Sequence, residues 1–405
     1  MPMFEQKKTT ELSKFQTFLF PIILGWICSI FTLIITNGQA WNGTVIEHGA
    51  DRFMDFFNHI FYSADIESTY TWTYHACFPP LSYLFYHFIS MLLPDNTIYM
   101  GVGIATGTYG LLTYISFILI SLFLFNYVVG KVCNDFSEEK RLLITIIFSF
   151  SYSVFIGCIE RGNNIIYVCI LLLMAIIFKD SPNKIKRELS LLFIAIAASL
   201  KIYPAIFGLI YIYEKRWKEA FRLIIYGILF FFIPFIWLGG FNGFRYFLLN
   251  QLVLHSSSVG TDDVIAIYSI SIGHFAQLIT TNHTTITVML LLCMLVFLVL
   301  AKFQTSSWKR YTLLCACMTL IPLWSGLYTI TYFVIPLLFF LKNTTIHKLN
   351  AYYSFIFGII FSLFFLPYQS SFVDWPRFFC LMGSYLLVII VCFDTIYNII
   401  KQCKK

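Results

Sequence analysis

Long apolar runs recur along the whole chain and constrain its fold more than any other feature. Runs of about 20 continuous apolar residues are long enough to cross a bilayer as helices. Backbone groups find no water inside a bilayer, so only helices and closed barrels can cross it. Barrel strands would alternate in hydropathy. The runs therefore predict an all-α integral membrane protein, in agreement with a charged fraction of only 12%.

Basic clusters between the apolar runs predict the orientation, because cytoplasmic loops carry an excess of Lys and Arg. Such clusters include residues 179–187, 215–222 and 302–310. The net charge of +7 falls in these loops and is not a nucleic-acid signal. Both termini are expected in the cytoplasm, with about 12 transmembrane helices near residues 15–36, 99–127, 141–159, 164–178, 188–201, 202–214, 221–238, 284–301, 311–325, 327–342, 349–367 and 378–399.

A single integral-membrane domain, residues 1–405, is expected, with extracytoplasmic loops at 37–98 and 239–283. The apolar run 78–93 is short and opens with Pro79-Pro80. If it crossed, every later loop would invert against the charge rule. We therefore expect this run to be an interfacial or re-entrant helix, and the first loop to contain interfacial helices. The first apolar run has no small-residue cleavage site, which predicts an uncleaved signal anchor.

The segment "CIERGNN" places polar residues between two apolar runs. Ionisable residues at membrane depth point to function. Arg161 offers a planar fork of donors for a phosphate, Asn163 adds amide contacts, and Gly162 lets a ligand approach the backbone. Together with Glu160 they form a candidate substrate-binding clamp. The alternative is a polar turn with a local Glu–Arg pair.

The segment "SLKIYP" interrupts another apolar run. Pro204 can open a helix, so Lys201 and Tyr203 lie at a break between two helices. By topology this break is on the same side as Arg161. Two cations at one depth suit a phosphorylated lipid, and Lys201 and Tyr203 are candidate substrate-binding residues. The alternative is a lysine that snorkels to the interface.

The first outward loop carries the candidate catalytic acids, Asp51 and Asp55. Their spacing places them on one helical face, among several phenylalanines. An acid among aromatic rings can have its pKa raised, which suits a general base. The alternative is that these acids only solvate a loop.

Several other kinds of site lack a signal in the sequence. The scattered histidines and 11 cysteines show no metal-ligand spacing and no disulfide framework. There is no phosphate loop and no dinucleotide fingerprint, so a nucleotide on the cytoplasmic face is not expected.

The order of "FPPL", "RGN", "LKIYP" and "YEKRW" over about residues 50–222 resembles glycosyltransferase family 87. This family contains the PimE-like, polyprenol-phosphate-mannose-dependent mannosyltransferases and bacterial relatives of the GT-C fold. The resemblance implies a catalytic acid in the first loop, for which Asp55 in "MDFFN" is the best match and Asp51 the second. The resemblance also implies substrate-binding roles for the residues of the other motifs, which are Arg161, Asn163, Lys201 and Tyr203.

The implied activity is transfer of a mannose-like hexose from a polyprenyl-phosphate sugar to a lipid-linked or cell-envelope glycan acceptor. It would take place among the lipids at the outer face of the plasma membrane, without a nucleotide or nucleic-acid partner. Some GT-C enzymes use a divalent metal, and the sequence leaves that open. The alternatives are a lipid-linked sugar transporter or flippase, and an O-antigen-type polymerase. Polar groups clustered on one side favour the enzyme, since a transporter needs charges along a full path.

Overall fold

The computed structural model describes residues 2–39, 53–72, 76–94, 107–257, 269–277, 279–323, 325–343, 349–366 and 375–403. Within these ranges the secondary structure is helical, with no strand. The all-α membrane class predicted from the apolar runs is therefore confirmed. The candidate acid Asp51 lies outside the described residues.

The helices follow one another with short breaks. In chain order they are α1 (Pro2–Ile35), α2 (Met54–Ala64), α3 (Pro80–Ser90), α4 (Thr108–Val132), α5 (Glu138–Ser149), α6 (Tyr152–Glu160), α7 (Ile165–Phe178), α8 (Lys184–Leu200), α9 (Leu209–Tyr213), α10 (Trp217–Phe232), α11 (Gly240–Ser257), α12 (Ile272–Gln277), α13 (His283–Phe303), α14 (Ser307–Thr319), α15 (Val334–Lys342), α16 (Asn350–Ile360) and α17 (Trp375–Cys403). Short 3₁₀ turns at Thr69–Thr71, Tyr203–Gly208, Ile233–Ile236 and Leu327–Phe333 connect some of them.

The described part of the chain has fewer crossing helices than the sequence predicted. Five helices are long and apolar enough to cross a membrane, and a sixth is possible if α5 and α6, which bend by 59°, form one span. The expected count of about 12 must therefore be revised downward for these residues. Several predicted spans are apolar helices of only 10–17 residues, which at about 1.5 Å per residue are shorter than a bilayer core of about 30 Å.

Two short helices form the first loop. α2 and α3 have 11 residues each, so each is about 16 Å long and too short to cross. Their aromatic side chains pack together and against α4, with Phe56 in ring contact with Tyr86 and Phe117. The loop is thus anchored to a membrane helix by a buried aromatic cluster.

α7 and α8 form an antiparallel pair that links two sets of polar residues. Ser190 of α8 donates a hydrogen bond to the carbonyl of Ala175 in α7, at 2.6 Å. One end of the pair carries Asn163 and Lys201; the other carries Lys179, whose ammonium contacts the Glu214 carboxylate at 2.6 Å. The two polar sets therefore lie at opposite ends of the same helix pair.

Candidate active site

The turn before α7 is docked on the first turn of α2 by backbone contacts. The N–H of Phe53 donates to the Glu160 carbonyl at 2.9 Å, and the N–H of Phe56 donates to the Arg161 carbonyl at 3.2 Å. Gly162 has φ +70°, and a Cβ there would lie 2.5 Å from the Cβ of Phe56. The sequence suggested that this glycine admits a ligand. In the structure it admits the neighbouring helix.

This docking places two donor residues on the carboxylate of Asp55. Arg161 donates from Nη2 to Oδ1 at 3.1 Å and from Nε to Oδ2 at 3.3 Å. The Nδ2 of Asn163, a residue that is 1% exposed, donates to Oδ2 at 2.7 Å. Both oxygens of Asp55 are therefore oriented by residues of the "RGN" motif.

The environment of Asp55 keeps its carboxylate ionised. Burial raises the pKa of Asp55, whereas the charge and hydrogen bond of Arg161 lower it and the charge of Lys201 lowers it further, so that the net shift is downward. The pKa of Asp55 consequently lies below its usual value, and the expectation of a raised pKa is wrong. The charged groups that face Asp55, foremost Arg161 from another segment, together outweigh the effect of the aromatic surroundings on its pKa.

His59 lies one turn after Asp55 on α2 and was not singled out from the sequence. Its side chain is buried, and this burial lowers the pKa of His59 to about 3. Its Nδ1 has no hydrogen-bond partner in the described part of the chain. The signal that could have found it is the i, i+4 spacing from Asp55, which places both on one helical face. His59 is a neutral group in the wall of the site.

Lys201 directly follows the last residue of α8 and is a buried cation. It is 8% exposed, and its Nζ lies 3.3 Å from the ring centroid of Phe78 and 5.6 Å from that of Tyr328. No hydrogen bond or ion pair from a described residue reaches its Nζ. A buried ammonium normally has a counter-charge. Burial of this kind does not fit a lysine that snorkels to an interface.

Phe78, from the "FPP" motif, is fixed in place under the ammonium. Its N–H donates to the hydroxyl of Tyr83 at 3.3 Å, and its carbonyl accepts from the hydroxyl of Tyr70 at 2.9 Å. Its ring also lies 4.0 Å from the ring of His59. Phe78 therefore links Lys201 to the helix that carries Asp55.

Ser82 connects the two halves of the site. The Nδ2 of Asn164 donates to Ser82 Oγ at 3.1 Å, and this hydroxyl donates to the carbonyl of Leu200 at 2.7 Å. Leu200 precedes Lys201, and Asn164 follows Asn163. The start of α3 thus holds the start of α7 and the end of α8 together.

The remaining predicted residues lie at the margins. Glu160 contributes its backbone carbonyl to the docked turn. Tyr203 begins a 3₁₀ turn and is 40% exposed. Tyr328, which was not singled out from the sequence, also faces Lys201. No pattern near Tyr328 in the sequence signals this contact, because it joins residues more than 100 positions apart.

The side chains around Asp55 do not fit a divalent cation. Arg161 and Asn163 occupy its oxygens. Within the described ranges, no three His, Cys, Asp or Glu side chains form a group that could hold a metal ion.

The family model of glycosyltransferase family 87 matches residues 77–326, more than half of the chain. The matched range includes the "RGN" and "LKIYP" motifs, and Asp55 precedes it. No curated protein and no solved structure matches the chain. The family match supports glycosyl transfer over transport of a lipid-linked sugar.

Proposed function

The chain belongs to glycosyltransferase family 87, and we propose that it transfers a mannose-like hexose from a polyprenyl-phosphate sugar to a lipid-linked or cell-envelope glycan. As a member of this family with several apolar helices, it is a membrane glycosyltransferase. The donor and acceptor are our proposal. The observation that carries it is the buried Lys201 ammonium, which has no anionic partner in the described structure and lies near the ionised Asp55.

The charges of the site favour a phosphodiester donor. Asp55 carries one negative charge, Arg161 and Lys201 carry one positive charge each, and His59 is neutral. These four groups have a net charge of +1. A sugar linked to a lipid through one phosphate carries one negative charge and neutralises the site, whereas a nucleotide-diphosphate sugar carries two. A buried lysine paired with such a phosphate would recover the cost of its desolvation.

In the proposed reaction, the acceptor hydroxyl attacks the anomeric carbon on the face opposite the phosphate. A carbon–oxygen bond forms as the bond between the anomeric carbon and the phosphate oxygen breaks, and its electron pair leaves with the lipid phosphate. Asp55 takes the hydroxyl proton. Lys201 stabilises the second negative charge that develops on the leaving phosphate. The anomeric configuration is inverted.

Arg161 has two successive roles in this scheme. It first keeps Asp55 ionised and oriented through their ion pair. Once Asp55 has taken the proton, this pair loses most of its attraction, since a neutral carboxyl group no longer compensates the guanidinium. Arg161 can then turn towards the leaving phosphate, for which its planar donors are suited.

We further propose a single GT-C-like domain, residues 1–405, in the plasma membrane, with both termini cytoplasmic and the site extracytoplasmic. The site and the ionic cluster around Lys179 and Glu214 lie at opposite ends of α7 and α8. The charge rule assigns that basic end to the cytoplasm. The opposite end, with Asp55 and Lys201, is then on the outer side, where a lipid-linked donor is accessible.

The test is a transfer assay on protein purified into lipid nanodiscs. Polyprenyl-phosphate mannose, glucose and galactose are offered as donors, with octyl glycosides as acceptors and nucleotide sugars in parallel. We expect one polyprenyl-phosphate sugar to be consumed and its hexose to appear on the acceptor. Turnover of a nucleotide sugar instead, or movement of an intact donor across a liposome membrane without any transfer, would overturn the proposal.

A further inference from the structure

A polar cleft lies between the turn Thr69–Thr71 and the start of α11. Its volume is about 200 Å³, and its polar lining comes from Glu67, Thr71, Asn242 and Tyr246. The transfer reaction described above does not use these residues. We propose that the cleft binds a neutral sugar unit of the acceptor saccharide, an inference that rests on the proposed function.

Two glycines shape the cleft. Gly239 has φ +79°, and a Cβ there would lie 2.8 Å from the backbone oxygen of Glu67. A Cβ on Gly243 would lie 1.7 Å from the carbonyl oxygen of Leu238. A side chain at Gly239 would push this segment away from the first loop, and one at Gly243 would collide with the turn that precedes α11. The close approach in "LGGFNG" therefore creates a defined floor between the two segments.

α11 is also fastened to the loop beside the cleft. The Nδ2 of Asn250 donates to the carbonyls of Tyr70 and Ala76, each at 3.0 Å. Asn250 is 2% exposed, so these two bonds are shielded from solvent. The cleft is thus bounded by elements that are held in register by buried hydrogen bonds.

The lining has the chemistry that hydroxyl-rich ligands require. Asn242 and Tyr246 are four residues apart on α11 and share one face, and Tyr246 is 43% exposed. An amide both donates and accepts hydrogen bonds, and the carboxylate of Glu67 accepts them. A tyrosine adds an apolar ring face with a polar end. These groups match a sugar ring, which has hydroxyls at its edge and C–H groups on its faces.

The charge and size of the cleft limit the kinds of ligand that it can bind. Glu67 is the charged residue in its lining, and no Lys or Arg from the described ranges lines it. This arrangement disfavours phosphates and acidic sugars. Its volume is below the roughly 300–1,000 Å³ of sites for drug-sized ligands. It therefore suits one neutral sugar unit rather than a long glycan segment.

The cleft shares a wall with the candidate active site. Tyr70 lines the cleft and donates through its hydroxyl to the carbonyl of Phe78. The ring of Phe78 in turn covers the ammonium of Lys201. A saccharide in the cleft would therefore contact Tyr70, which is linked through Phe78 to Lys201, so that a further unit of the same acceptor could extend towards the candidate active site.

A binding experiment tests this site without depending on catalysis. Octyl mannoside, octyl glucoside and octyl galactoside are titrated, below the concentrations at which they form micelles, into nanodisc-embedded protein by calorimetry. We expect the wild type to bind at least one of them, and Asn242→Ala and Tyr246→Ala each to weaken it at least tenfold. Tyr246→Phe, which keeps the ring, should lose less. Tyr397→Ala, at an exposed tyrosine of α17, is the control and should bind as the wild type does.

Kinetics give the second readout. In the two alanine variants, the KM for the octyl glycoside should rise at least tenfold, while hydrolysis of the donor by water is unchanged. Equal binding by the wild type and the variants, or no binding of any of the three glycosides, would overturn the proposal that the cleft is an acceptor site. If no polyprenyl-phosphate donor turns over, the proposed function fails, and the calorimetry still decides whether the cleft binds sugars.

Discussion

Arg161 and Asp55 form an ion pair between segments that are 106 residues apart in the sequence. The pair keeps the carboxylate of Asp55 ionised despite its burial. It also holds the carboxylate in one orientation, with Asn163 on the same oxygen as the Nε of Arg161. The consequence is a proton acceptor of low basicity that is ionised and held in one orientation, so its contribution rests on positioning as well as on proton transfer.

Replacing Asp55 by Asn should remove most of the transfer activity. The amide keeps the shape of the side chain but cannot take the acceptor proton, so we expect a loss of about 10²- to 10⁴-fold in kcat. The assay is transfer from the polyprenyl-phosphate donor to an octyl glycoside. Asp65→Asn, at an exposed acid of the same loop, is the matched control and should retain activity. Full activity in Asp55→Asn with loss in Asp51→Asn would move the catalytic role to Asp51.

Replacing Lys201 by Met should weaken stabilisation of the leaving phosphate. Met fills a similar volume without charge, so the packing against Phe78 is retained. By analogy with other donors to developing negative charge, the loss should be about 2–4 kcal/mol, or roughly 30- to 900-fold in kcat/KM. Lys186→Met, at an exposed lysine of the same helix, is the control. Donor binding and turnover equal to those of the wild type would remove Lys201 from the phosphate site.

Replacing Arg161 by Gln should move the acidic limb of the pH–rate profile to higher pH. Arg161 holds the pKa of Asp55 below its usual value. Without that charge, burial raises the pKa, and Asp55 becomes protonated, and so inactive as a base, at a higher pH than in the wild type. The measurement is kcat/KM against pH for both proteins. Arg222→Gln, which removes an ion pair with Glu188 elsewhere, should leave the limb in place. An unshifted limb in Arg161→Gln would show that Asp55 is not the group that titrates.

The sequence located most of the candidate site because each motif interrupts an apolar run. A cation or an acid in such a break is unusual enough to be noticed without any structure. The sequence could not reveal the partner of each group. From the sequence, Arg161 was interpreted as a phosphate ligand, with a local pair to Glu160 as the alternative. Its contact with Asp55 depends on how α2 packs on the turn before α7.

The span count was the weaker part of the prediction. Hydropathy measures how apolar a segment is, but a short buried helix and a crossing helix can have the same composition. α16, for example, is an 11-residue apolar helix. A Cβ on its Gly358 would lie 2.3 Å from the Cγ of Pro21 in α1, so its apolar character reflects packing against another helix.

Replacing Gly162 by Ala should disable the site by moving the turn that carries Arg161 and Asn163. The backbone there has φ +70°, which costs a residue with a Cβ about 1–2 kcal/mol, and the new methyl group would overlap Phe56. We expect a lower melting temperature and a larger fall in kcat, because the turn can relieve the overlap only by withdrawing from α2 and from Asp55. Gly227→Ala is the matched control: it lies in α10, a Cβ there meets nothing within 4 Å, and alanine favours a helix. If the Gly162→Ala and Gly227→Ala variants have the same melting temperature and the same kcat, the docking of this turn on α2 does not determine the geometry at Asp55.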